Sequence, residues 1–385
     1  MARHSAARWD LYVRVAALAA YGVVIGMARE RFLAGYAVGW SDAALLLMPL
    51  AAFASQSLHY RSRVQAHRAD WMGAGLATAL LAAWWLGGSA QQGVVAVGVY
   101  VLMAWTWAAR TRKEMLVAPE RELRHYLQHA SALSALVAVA AAALLGAMHT
   151  QAALTRAWLL LCWIGAVVPL LTSWRWPCPA AAVEESTGGI VVAMLAAPQA
   201  SMLFAIEGAG NAASYFLTLG FLGVARADLP QVAAMIVIVQ LGGAAVQMAL
   251  KRVVEHDYRP VVIASAAGVV LLGTLLAFGW VSGLLALVLT ACVGALHDQL
   301  EPARLRAALA RLSDARDGSI RSDVVLGREL ALMLGRMVAV GLLLLAAARS
   351  WTLALLLASA VIAAEAWLLL RVLAGPPREL SPAAG

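Results

Sequence analysis

Four polar side chains run down one strip of an otherwise apolar segment: Glu207, Asn211, Tyr215 and Thr218, spaced four, four and three residues apart. That spacing places all four on one face of an α-helix. Such a strip can take up and release a proton at the carboxylate, and hydrogen-bond a polar molecule through the amide and the phenol. A charged side chain at the centre of a bilayer costs roughly 2.5–3.5 kcal/mol on insertion scales, so it turns toward protein or water. Two readings of Glu207 stay open. It is a titratable site, or it is a charge near a helix end that is solvated or paired with an arginine.

Other charges interrupt apolar runs. Asp10 and Arg14 are an i,i+4 pair with Tyr21 on the same face. Arg14 could meet Glu207 or attract an anion; the alternative is an Asp–Arg pair at the membrane surface with the arginine snorkelling. Glu365 lies midway along the last apolar run, as a proton site, a paired structural charge or a contact to a partner protein. Gln240 and Gln247, seven apart, suit hydrogen bonds between helices. The eight histidines fall in tails, loops or segment ends, which disfavours a haem or metal site inside the membrane. Cys162, Cys178 and Cys292 show no CxxC spacing, and no Walker sequence is present. No cofactor is implied. Outer loops this short and plain also argue against an embedded lipid transferase.

The elements that must position these groups are membrane helices. Of 385 residues, 63% are hydrophobic and 13% charged, and the mean hydropathy is +0.78. A water-soluble surface cannot be built from so few polar groups. Apolar segments without a period of two favour helices over a barrel. About twelve spans are expected, near 11–28, 41–58, 70–88, 93–109, 128–148, 155–174, 201–224, 231–250, 260–279, 281–297, 331–348 and 351–373. The first is expected to stay as an anchor rather than a cleaved leader, because Trp9, Asp10 and Arg14 crowd it.

With the N-terminus inside, 22 of the 29 basic residues fall in cytoplasmic segments and five outside. The asymmetry predicts an inner-membrane protein with both termini cytoplasmic, and rejects a thirteenth span within 189–224. Basic loops also account for the net charge of +8 without a nucleic-acid partner. The expected partners are the lipid bilayer and a small solute of unknown identity, with room for a membrane protein and none for nucleic acid.

The halves repeat. Arg61 and Arg68 in the second-to-third loop match Arg252 and Arg259 at an offset of 191 residues. Arg121-Glu122-Leu123 precedes His129 by the spacing at which Arg328-Glu329-Leu330 precedes Arg336, at an offset of 207. The larger offset reflects an Arg-rich insertion near 301–320. A parallel six-plus-six duplication resembles the major facilitator superfamily over nearly the whole chain. The family's loop pattern G-x-x-x-D-[RK]-x-G-[RK]-[RK] is absent; residues 59–70 read HYRSRVQAHRAD.

That resemblance implies an all-α fold of two six-helix bundles: 1–174, a cytoplasmic linker over 175–200, then 201–374 and a tail over 375–385. It also implies that spans one, four, seven and ten line a central cavity, making Glu207, Asn211, Tyr215 and Arg14 candidate substrate or proton residues. Loops after spans two and eight would approach spans eleven and five. Glu329 would then pair with Arg61, Arg63 or Arg68, and Glu122 with Lys251, Arg252 or Arg259, as a gate that includes Arg336. The implied function is secondary transport or export of a small amphipathic or anionic solute by alternating access, proton-driven if Glu207 or Glu365 titrates. The competing reading is a non-transporting relative that anchors a membrane complex.

Overall fold

The computed structural model describes residues 12–20, 38–61, 63–87, 94–95, 97–108, 120–147, 156–157, 159–168, 198–225, 233–234, 237–242, 245, 259–281, 285–286, 288–289, 292–293 and 322–374. Among the described residues there is no strand. Seven long helices stand out: α1 (Val38–Arg61), α2 (Arg63–Leu86), α3 (Glu120–Ala147), α4 (Pro198–Ala225), α5 (Arg259–Ala277), α6 (Ser322–Arg349) and α7 (Trp351–Ala374). Shorter helical stretches cover 12–20, Val97–Ala108 and Leu159–Val168. The expected spans at 231–250 and 281–297 fall largely outside the described residues.

Three segments are long and apolar enough to cross a bilayer by length and composition: Arg259–Ala277, Leu326–Arg349 and Trp351–Val372. Their outer faces fit that medium. On α6, Leu334, Val338, Leu342 and Leu345 are exposed at helical spacing, where a helix facing water carries polar groups.

Several helices start earlier than hydropathy suggested. α2 begins at Arg63 rather than near 70, α3 at Glu120 rather than near 128, and α6 at Ser322 rather than near 331. The added turns hold Arg and Glu, which suit a helix well but lower a hydropathy average. The consequence is chemical: Asp70, Arg328 and Glu329 lie about two turns inside helices rather than at their ends. α4 begins at Pro198, a residue pre-set for a first helical turn.

In the C-terminal part, α7 runs antiparallel to α4 and α5. Leu203 of α4 and Val262 of α5 cluster with Ala366 and Leu369 of α7. At the far end of the α5–α7 pair, the Thr352 hydroxyl donates to the Ala277 carbonyl at 3.0 Å. The inward face of α5 is Val261, Val262, Ser265, Val269, Leu272, Gly273 and Leu276, a helical repeat of small and branched residues. Between α4 and α6 the backbones themselves meet. A Cβ at Gly208 would strike the Leu332 backbone, and one at Gly335 the Ala205 backbone. Lipid tails are as apolar as leucine, so such close van der Waals approach, rather than hydrophobic burial, holds membrane helices together.

In the N-terminal part, α1 packs on α2 and also on α6, linking the two ends of the chain. Ala51 and Ala52 of α1 meet Ala104 and Ala108 in the 97–108 helix.

Candidate functional site

The close approach of α4 and α6 sets up the densest polar cluster among the described residues. Two turns into α6, Arg328 is buried and divides its guanidinium between two helices. Nη2 donates to Glu207 Oε1 on α4 at 2.9 Å, and Nη1 donates to Glu329 Oε1 at 2.7 Å. The guanidinium also lies over the Phe204 ring, 5.4 Å from its centroid. All three charged groups are buried. Distances this short are those of charge-assisted hydrogen bonds. Arg336, two turns further along α6, adds a second positive charge that acts on Glu329.

A further charge approaches α4 one turn along. Glu365 of α7 is 2% exposed, and its carboxylate sits over Gly210, where a side chain at 210 would take the same space. Glycine at 210 is therefore required for an acid to reach the α4 backbone. Asn211 is half-buried beside it; the side chains of Tyr215 and Thr218 lie outside the described residues.

A second ionic site joins the 12–20 helix to α2. Arg14 donates to Asp70 through Nη1 and Nη2 at 3.3–3.4 Å, and both residues are buried. Next to it, Trp105 Nε1 donates to the Ala69 carbonyl at 3.1 Å, and the Ser55 hydroxyl of α1 donates to the Trp105 carbonyl at 2.9 Å. Arg336 of α6 stands over Trp107, 4.9 Å from the ring centroid, so the aromatic end of the 97–108 helix bridges the two ionic sites.

The structure thus regroups the expected residues. Glu207 takes Arg328, the arginine of the repeated triplet, as its partner. Arg14 is turned to Asp70, not to Glu207, because α2 starts early enough to carry Asp70 inward. Asp10 lies outside the described residues. Glu329 is held by its neighbour Arg328, while Arg68 is exposed on α2. The side chains of Arg61, Arg63 and Glu122, and all of Lys251 and Arg252, lie outside the described residues; Arg259 is exposed at the start of α5.

Sequence reasoning missed Asp70, Gln56 and the central place of Arg328. A usable signal for Arg328 was present. Two acids in apolar helices need a cation, and Arg328 adjoins one of them.

No family model matches the sequence, and no curated protein sequence does. Solved structures do match in shape, over nearly the whole chain. The fucose:proton symporter FucP of E. coli, in a variant form, superposes with a TM-score of 0.60 at 13% identity, covering 95% of this chain and 98% of that one. FucP in the outward conformation, described as a Major Facilitator Superfamily transporter, gives 0.59 at 13% identity, with coverages of 95% and 98%. A variant of the nucleoside transporter NupG gives 0.61 at 11% identity, with coverages of 96% and 99%. The chain has the all-α fold of the major facilitator transporters. At these identities it is the fold that is shared.

Proposed function

We propose that the chain is a secondary transporter that moves a small solute across a bilayer by alternating access, with Glu207, Arg328 and Glu329 as its proton-responsive node. The observation that carries this reading is the uneven division of one buried guanidinium between two carboxylates. Two carboxylates share one guanidinium, and a proton arriving on either of them weakens its hold on Arg328. Glu207 and Glu329 sit on helices whose backbones touch, so a change in charge there acts directly on helix packing. Ion pairs that break and re-form suit a two-state element, since each state need differ by only a few kcal/mol. Glu365, one turn along α4, is the next group that a proton could reach.

The fold supports this reading, as do neighbours described as a fucose:proton symporter and a nucleoside transporter. An inner-membrane location with both termini cytoplasmic and two six-helix halves, 1–174 and 201–374, belongs to the same proposal. It rests on the distribution of Lys and Arg.

The test is solute exchange and uptake in proteoliposomes under an imposed pH gradient, comparing the wild type with Glu207→Gln. Arg328 keeps Glu329 in that variant, so folding is expected to survive. Uptake should rise with the gradient in the wild type and lose that dependence in the variant, while exchange without a gradient persists. Unaltered gradient dependence in Glu207→Gln removes the node. A folded wild type that exchanges no solute points instead to the membrane-anchoring alternative.

A further inference from the structure

Gln56 of α1 is fully buried, and neither its Nε2 nor its Oε1 has a hydrogen-bond partner. Leaving a buried polar group unsatisfied costs on the order of 1–3 kcal/mol, and this side chain presents both a donor and an acceptor in that condition. Its direction is inward. Leu47, Leu50 and Ala54 form the exposed stripe of α1, and at 100° per residue Gln56 lies on the opposite side. α1 is also the helix that packs against α6, which brings the node-bearing helix next to it.

Most of the other buried polar side chains among the described residues have partners. Ser55 and Ser359 donate to backbone carbonyls, Arg14 and Asp70 pair, and Arg328 holds Glu207 and Glu329. Glu365 makes contacts of its own. Ser265 lacks a partner, but a helical serine can always turn to the carbonyl four residues back. The Gln56 amide has no comparable local acceptor and donor. Its sequence counterpart is also a glutamine. Gln247 stands 191 residues on, the offset that relates Arg61 to Arg252 and Arg68 to Arg259.

We propose that Gln56 is a binding residue for the carried solute, and that the solute is neutral and presents a hydrogen-bond donor beside an acceptor, as adjacent hydroxyls or an amide edge do. This rests on the transport reading above. An amide satisfies such a pair with both its atoms and adds no charge. The buried guanidinium groups of Arg14 and Arg328 and the carboxylates of Asp70, Glu207 and Glu329 are already engaged with one another. The solute class therefore differs from the amphipathic or anionic one expected from sequence.

Gln56→Leu separates binding from folding. If the amide has no structural partner, an apolar side chain of similar size should leave the midpoint of thermal unfolding in detergent unchanged or higher. Exchange of neutral probes, L-fucose and uridine, across proteoliposomes should meanwhile fall about tenfold or more, because a site built around a hydrogen bond fails without it. Gluconate and choline serve as charged probes and should not exchange in the wild type. A lowered unfolding midpoint in Gln56→Leu overturns the proposal, since the amide is then structural. So does unchanged exchange of the neutral probes, or exchange confined to the charged ones; transport itself stands in both cases. A folded wild type that exchanges none of the four probes, while still exchanging another solute, overturns the solute class alone. One that exchanges nothing overturns the transport reading and this inference together.

Discussion

The two buried ionic sites differ in a way that their positions do not suggest. Arg14 pairs one guanidinium with one carboxylate at 3.3–3.4 Å, between the 12–20 helix and α2. Arg328 divides one guanidinium between two carboxylates at 2.9 and 2.7 Å, between α4 and α6. Arg14 and Glu207 stand 193 residues apart, within one turn of the 191-residue repeat, yet they carry opposite charge. Positions near one sequence offset thus hold two different chemistries. The Arg14–Asp70 pair sums to zero and can serve as a fixed strut. The Arg328 site sets two carboxylates on one guanidinium, with Arg336 acting on Glu329 as well, and loosens when a proton arrives. Tighter contact makes the second site the stronger brace when intact and the costlier one when broken.

The largest effect that would sharpen this contrast comes from Arg328→Gln. It leaves two acids buried without their cation, and breaking a buried ion pair in this way typically costs about 3–5 kcal/mol. A collapse of the unfolding midpoint, partly rescued in Arg328→Gln combined with Glu207→Gln, is the expected outcome. A single variant as stable as the wild type would break the comparison. Next is Gly335→Leu, which drives a side chain into the Ala205 backbone; overpacking of this kind costs about 1–3 kcal/mol and should loosen α4 from α6. Thermal stability checks it, with Gly341→Leu as control, because a Cβ at Gly341 meets nothing within 4 Å.

Asp70→Asn removes one charge from the longer pair. An amide at 70 keeps an acceptor for Arg14, so the loss should be about 1.5–3 kcal/mol, the worth of a hydrogen bond to a charged group, and fall below that of Arg328→Gln. A double-mutant cycle with Arg14→Gln measures the coupling, and a value above that for Arg328 with Glu207 would reverse the ranking. Smallest is Trp107→Leu, which takes the ring from Arg336. A partly exposed cation–π contact is worth about 0.5–2 kcal/mol, and its loss should alter stability without changing either ionic site. Unfolding of the combined Trp107→Leu and Asp70→Asn variant tests that independence.

Much of the architecture was legible in the chain. Apolar runs of bilayer length predicted helices, and α5 and α7 match their expected ranges closely. The ends were less legible where charge collected, as in α2, α3 and α6. A hydropathy average penalises Arg and Glu, whereas a helix accepts them when they satisfy one another or reach water. Glu207 was recognised as a group that must be neutralised. Its partner was not, because a guanidinium 121 residues away becomes a neighbour only when Gly208 and Gly335 let two backbones touch.

The order of charges along the chain, the lipid-compatible faces and the repeat offsets were determined by sequence alone, since each depends on local composition and spacing. Which acid meets which arginine, and which amide is left without a partner, was decided only in three dimensions. Pairing energies fall away over a few ångströms, and only the packed helices set those distances. That is why Arg14 turned to Asp70 while Gln56, flanked by ordinary serines in the sequence, emerged among the described residues as a buried side chain with both hydrogen-bonding atoms unspent.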